Sequence, residues 1–237
     1  MITVDFKRLS IKSGDKILDI GCGTGRHTCA AARIGEVVTI GVDIKFNEVV
    51  ETKNRLINQE KIGENNGGWG ASVADIYRLP FRGSSFDVVI CSEVLEHIPD
   101  HRAAISEITR VLKPQKDLVV SVPRYLPERI CWLLSEDYHH ANNGHIRIYK
   151  KKELIRLLEE AGLLFKGCHW AHSLHTPYWW LKCIVGPTRK DSPPVNVYHR
   201  FLVWDMMKHP PLTQLLEYIL NPLFGKSLVL YMKKSEY

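Results

Sequence analysis

The chain has 237 residues, 45% of them apolar and 24% charged, with a net charge of +6. That is enough apolar material for one large domain with a sizeable core. No apolar run approaches the roughly 20 residues that span a bilayer, and the opening MITVDFKRLS lacks the apolar centre of a secretory leader. The six cysteines are scattered without a C-x-x-C pair, which argues against a disulfide framework or structural zinc and for a cytoplasmic chain.

Strands and helices alternate through the first half. Lys16–Ile20 reads as a short buried strand that runs into a turn with glycine at 21, 23 and 25. An Ala-rich helix follows to about Ile34. Residues 37–42 form the next apolar run, ending at Asp43. A surface helix is expected over 47–58, and a short strand over 71–74, ending at Asp75. Residues 87–92 are again apolar. From His101 to Leu112 the apolar positions 104, 105, 108, 111 and 112 share a helical face, with Pro114 as the expected stop. Residues 117–122 make a fifth strand. Alternating apolar strands and helices predict a doubly wound α/β fold with a parallel sheet. Ligands in such sheets bind beyond the carboxyl ends of the strands, where Gly21–Gly25, Asp43, Asp75, Ser92 and Glu93 all fall.

The second half is less regular. Residues 123–149 are aromatic and basic without a clear period, and 187–194 read as a loop. Helices are expected at 151–161, 200–207 and 212–220, and strands at 163–170 and 227–232. This divides the chain into a core over 1–122, a substrate-side insertion over 123–150, the rest of the core sheet over 151–171 and 227–237, and a helical lid over 172–226. The excess positive charge lies wholly beyond residue 122, together with five of six Trp and eight of eleven His. Such a half is compatible with an anionic substrate, nucleic acid or an acidic membrane, but it contains no basic run longer than Lys150–Lys152. The histidines at 139, 140, 145, 169, 172 and 175 fit no compact ligand spacing, so no metal site is expected.

The glycine spacing is neither the G-x-G-x-x-G of dinucleotide folds nor a P-loop with its lysine. Asp43 is placed to hold two ribose hydroxyls, and Asp75 to accept from an adenine amino group. No cation near the turn would meet a pyrophosphate, so the implied ligand is an adenosine without phosphates.

The stretches IleLeuAspIleGlyCysGlyThrGlyArg (17–26), Asp43, ValAlaAspIleTyrArgLeuProPhe (73–81), the run 86–98 and GluIleThrArgValLeuLysPro (107–114) resemble class I S-adenosylmethionine-dependent methyltransferases, in the broad group acting on small molecules and lipids. The pair Gln115-Lys116 departs from the two glycines usual there. The resemblance implies a Rossmann-like seven-stranded sheet with an antiparallel last strand. It implies that Asp19, Gly21, Cys22, Gly23 and Gly25 cradle the methionine part of S-adenosylmethionine. Asp43 then holds the ribose with Ile44 against the adenine, Asp75 and Ile76 frame the adenine, Ser92 and Glu93 line the floor beneath the sulfonium, and His97 lies close by. For an acceptor that must lose a proton, His97, His140 and His145 are the candidate bases, with Arg147 as an anchor for a carboxylate or phosphate. The expected acceptor is small, apolar, aromatic or lipid-like. Peripheral membrane contact is a further expectation, carried by Phe201, Met206, Met207, Leu215, Leu216 and Leu220 beside Arg200, Lys208 and Lys226. The competing readings are an RNA methyltransferase that uses the basic second half, and a non-catalytic scaffold on the same fold.

Overall fold

The computed structural model describes residues 1–139, 144–189 and 191–236. Its seven strands form one sheet in the order β3-β2-β1-β4-β5-β7-β6. They are β1 (Lys16–Ile20), β2 (Val38–Asp43), β3 (Trp69–Val73), β4 (Phe86–Ser92), β5 (Leu112–Pro123), β6 (Leu163–Ala171) and β7 (Ser227–Lys234). Neighbours among β1–β5 pair in parallel, and β7 is antiparallel to both β5 and β6. The antiparallel last strand expected from the resemblance is therefore present.

Side chains of a strand point alternately to its two faces, and here both faces are buried. On β7, Leu228, Leu230 and Met232 join one core with Leu18, Val89 and Leu118, while Val229 and Tyr231 join the other with Ile17, Val88 and Ile90. Each fully buried Leu or Ile contributes about 1.5–3 kcal/mol relative to exposure. Helices cover the faces because their apolar stripes match. Helix α1 is Arg26–Ala32, α2 is Phe46–Lys61, and α3 is His101–Val111. Helix α3 begins at Asp100, whose carboxylate accepts the Ala103 N–H at 3.0 Å, and it buries Ala104, Ile105, Ile108 and Val111.

Three expectations change, two of them in the second half. Residues 125–139, read as irregular, form α4 (Tyr125–Leu134) and α5 (Glu136–His139). Helix α6 (Lys151–Glu159) then leads into β6. Between β6 and β7 lie α7 (His175–Val185), α8 (Pro193–Lys208) and α9 (Pro211–Phe224), so α8 starts inside the stretch read as a loop. Pro193 and Pro194 occupy its first turn, where the missing N–H costs nothing. Finally, α3 ends at Val111 rather than at Pro114, and Pro114 lies within β5. No helix among the described residues is long and apolar enough to cross a membrane.

Candidate active site

Strand order reverses between β1 and β4. Beyond their carboxyl ends opens a cavity of about 980 Å³. The turn after β1 forms its floor. Gly21, Gly23 and Gly25 have φ of +66°, +52° and +80°, conformations that cost side-chain-bearing residues free energy. Two of the three also have no room for a side chain. A Cβ on Gly21 would stand 2.4 Å from Val94 Cγ2, and one on Gly25 2.8 Å from Thr52 Cγ2. At Gly23 a Cβ would meet only Glu48 Oε2 at 3.9 Å. Gly23 lines the cavity, so its bare backbone is a surface for a ligand.

The acidic residues divide into two kinds. Asp43 reaches back from β2: its Oδ2 accepts the Gly23 N–H and its Oδ1 the Lys45 N–H, both at 2.9 Å. Asp75 lines the cavity with its carboxylate accepting the Tyr77 N–H at 3.0 Å. Asp19, by contrast, is 1% exposed and accepts the Thr28 hydroxyl at 2.6 Å. Burial raises its pKa to about 7 against the pull of that hydrogen bond. It braces the β1–α1 turn from beneath and does not line the cavity. Cys22, Gly25 and Ser92 are likewise behind the wall. The Cys22 thiol is buried beside Thr52, and burial lifts its pKa to about 12. Ser92 shares a 2.7 Å hydrogen bond with Ser121, which in turn donates to Glu93 at 3.0 Å. Glu93 holds φ +56°, an uncommon angle for a non-glycine residue, directly after β4. Ile44 and Ile76 reach the cavity as expected.

His97 and His145, separated by 47 residues that include α3 and β5, come together with ring centroids 5.0 Å apart. Both line the cavity. His145 Nδ1 lies 2.5 Å from Glu128 Oε1, and Glu128, on α4, is 2% exposed. Despite the cost of burial, the His145 hydrogen bond holds the Glu128 carboxyl below its ordinary range. His97 Nδ1 faces the Gly144 carbonyl at 3.2 Å, and burial together with His145 lowers its pKa. Arg147 does not line this cavity. Its guanidinium donates to the Leu95, Ile98 and Pro99 carbonyls and ties residues 144–149 to the loop after β4. With those donors committed, the fork that would anchor an acceptor anion is occupied. His140 lies outside the described residues. The sequence reading did not single out Lys45, Glu48, Tyr77, Glu96 or Glu128. Glu96 stands next to a chosen histidine and was open to detection, whereas Glu128 gains its meaning only when α4 packs.

The cavity fits an adenosyl ligand, although Lys45 also lines it, a cation not expected there from the sequence. It offers a bare glycine backbone, two carboxylates at strand ends and the apolar Ile44 and Ile76. A methyltransferase-domain family model matches residues 4–164. The chain belongs to the class I S-adenosylmethionine-dependent methyltransferases. Among relatives of this methyltransferase, the demethylmenaquinone methyltransferase of Tropheryma whipplei (strain Twist) is 30% identical over 182 residues, covering 69% of this chain and 72% of that one. The O-methyltransferase cnsE of Penicillium expansum is 34% identical over 114 residues, covering 48% and 40%. The chain spans less than half the length of this and another fungal O-methyltransferase it matches. A methyltransferase structure from Bacillus halodurans superposes with a TM-score of 0.63 at 17% identity, covering 97% of this chain and 96% of that one, which shows the shared fold.

Proposed function

We propose that this methyltransferase moves a methyl group from S-adenosylmethionine to a hydroxyl of a small apolar or aromatic acceptor. The observation that carries the reading is the pairing of the open Gly23 backbone and Asp43 with two cavity-lining imidazoles in one pocket. The names of the relatives, an O-methyltransferase and a demethylmenaquinone methyltransferase, support a small acceptor.

In this reading Asp43 holds the ribose hydroxyls, Ile44 and Ile76 sandwich the base, Asp75 receives its amino group, and the Gly21–Gly25 backbone meets the methionine part. The cofactor supplies a methyl group already activated on a sulfonium. The chain's own work is then to orient the acceptor, keep water out and take up a proton. Orientation alone is worth up to roughly 7–11 kcal/mol. His97 and His145 are positioned to receive the acceptor proton, and Glu128 stabilises a protonated His145. We assign α7–α9 the role of a lid over the acceptor. Calorimetry with S-adenosylhomocysteine tests the donor side and is expected to show stoichiometric binding. Transfer of labelled methyl to hydroxylated quinones or phenols tests the acceptor side. Absence of cofactor binding would leave the scaffold reading in place. Methylation of RNA, with none of these acceptors used, would favour the nucleic-acid reading.

Helix α9 supports a further part of this reading, peripheral contact with anionic lipid. Leu212, Leu215, Ile219, Leu223 and Phe224 are exposed on it, as are Trp204 and Met207 on α8. Helix α9 carries no Lys or Arg, while Arg200, Lys208 and Lys226 flank the apolar surface. Co-sedimentation with phosphatidylglycerol vesicles is expected, weakening with salt and on Leu215→Glu/Ile219→Glu. Equal recovery with and without vesicles removes this part.

A further inference from the structure

Behind the wall of the cavity lies one carboxylate with no hydrogen-bond donor. Glu96 is 0% exposed, and neither of its side-chain oxygens has a hydrogen-bond donor. A buried polar group left without a partner costs free energy unless something meets it. What faces it is the imidazole pair, with His97 Nε2 3.9 Å from Glu96 Oε1. Glu96, His97 and His145 each present one ligand atom, and these atoms lie within 4.8 Å of one another.

The outer bonds of the two rings decide which nitrogens face inward. A carbonyl oxygen only accepts, so His97 Nδ1 carries the proton it donates to Gly144, and in the neutral ring Nε2 keeps its lone pair. Likewise His145 Nδ1 donates to the Glu128 carboxylate, which leaves Nε2 as the lone-pair nitrogen. A carboxylate or carbonyl on the far nitrogen is how metal-binding histidines are usually oriented. Both rings therefore keep their lone pair on Nε2, and that of His97 lies 3.9 Å from the orphaned carboxylate.

We propose that Glu96, His97 and His145 form a site for a divalent transition-metal cation on the wall of the acceptor cavity, with Glu128 holding His145 in its ligating tautomer. Two imidazoles and one carboxylate suit zinc, cobalt or iron, and leave coordination positions open. Metal–ligand bonds of roughly 2.0–2.2 Å require the three atoms to close in by about an ångström, within the reach of side-chain rotation. Resting on the methyl-transfer reading, the cation would replace the two imidazoles as the group that activates the acceptor: it would hold the acceptor oxygen and lower its pKa, and the proton would leave to bulk water before methyl transfer. The histidine spacing along the chain gave no sign of such a set, because Glu96 and His97 reach His145 only through the fold. A second trio, His172, His175 and Glu217, also comes within the same span. None of its members lines the cavity, whereas His97 and His145 both do, and His172 Nε2 lies 3.3 Å from the Thr3 hydroxyl.

The test is titration of chelator-treated protein with Co²⁺, followed by absorption and by proton NMR. One equivalent should bind with visible d–d bands and no thiolate charge-transfer band. Two exchangeable imidazole N–H signals should be strongly shifted, one from each Nδ1. Calorimetry with Zn²⁺ should show affinity falling 10–100-fold for Glu128→Gln and further for Glu96→Gln and His145→Ala. No stoichiometric binding, a thiolate band, or wild-type affinity in Glu96→Gln overturns the site. The wild-type spectra remain decisive if a variant fails to fold. S-adenosylhomocysteine binding, measured on the same samples, separates the two readings. Retained cofactor binding without metal overturns the site alone, and loss of cofactor binding overturns the methyl-transfer reading.

Discussion

Gly23→Asp is expected to abolish S-adenosylhomocysteine binding while the protein stays folded. The Cβ at this position points into open cavity, so the substitution makes no clash with the chain. Asp also tolerates the left-handed region better than most residues, and the backbone strain is on the order of 1 kcal/mol. The new carboxylate, however, would stand beside Glu48 and next to Asp43, where the ligand is proposed to meet the backbone. The side chain would fill the space over the Gly23 backbone and set its charge against the ligand's own carboxylate, so affinity should fall by more than about 100-fold. Gly23→Asn supplies the same shape without the charge and should lie between. Circular dichroism melts should move by only a few degrees. Binding preserved in Gly23→Asp would place the cofactor elsewhere. Gly21 and Gly25 cannot serve this test, because a Cβ there meets Val94 or Thr52, and any loss of binding would be confounded with loss of fold.

Acidification between pH 6.5 and 4 is expected to weaken the fold through His27. This residue on α1 is 6% exposed, and its Nε2 accepts the Thr3 N–H at 3.0 Å. Burial, with the charges of Arg26 and the N-terminal amine, lowers its pKa from 6.5 to about 4. Below pH 6.5 the unfolded chain takes up a proton that the folded chain refuses until about pH 4, so stability is lost as pH falls through that window. At about 1.4 kcal/mol per pKa unit the loss is about 3 kcal/mol. Asp19 acts in the opposite sense. Its pKa is raised to about 7, so its contribution to stability is present below the ordinary carboxylate pKa and is lost as pH rises through 7. The experiment must therefore compare wild type with His27→Gln by urea unfolding at each pH. The wild type should lose about 3 kcal/mol relative to the variant between pH 7 and 4. Parallel profiles would show that His27 does not titrate as its burial requires.

The core was legible because its elements are periodic and buried on both faces. Residues 16–20, 87–92 and 101–112 were read within one residue of β1, β4 and α3, since short apolar strands and a four-residue apolar stripe leave few alternatives. Helices α4 and α5 were not legible. Helix α4, YLPERICWLL, carries apolar residues around most of its circumference. Leu126, Leu133 and Leu134 stay exposed while Glu128 is buried, so hydrophobicity misreports which face packs. The same inversion affects α9, where only Thr213 is fully buried among largely exposed leucines.

Local sequence determined the proposed donor side of this methyltransferase. Glycines at 21, 23 and 25 and acids at 43 and 75 sit at strand ends, and a strand end's position follows from short-range patterning alone. Tertiary structure decided the rest. It turned Asp19 inward as a brace and committed Arg147 to backbone carbonyls. It also brought Glu128 from α4 and His145 from beyond the next segment against Glu96 and His97. The physical reason is that tautomer, burial and hydrogen-bond partner belong to pairs of side chains distant in sequence. Such pairs exist only after the sheet has closed and the helices have docked on it.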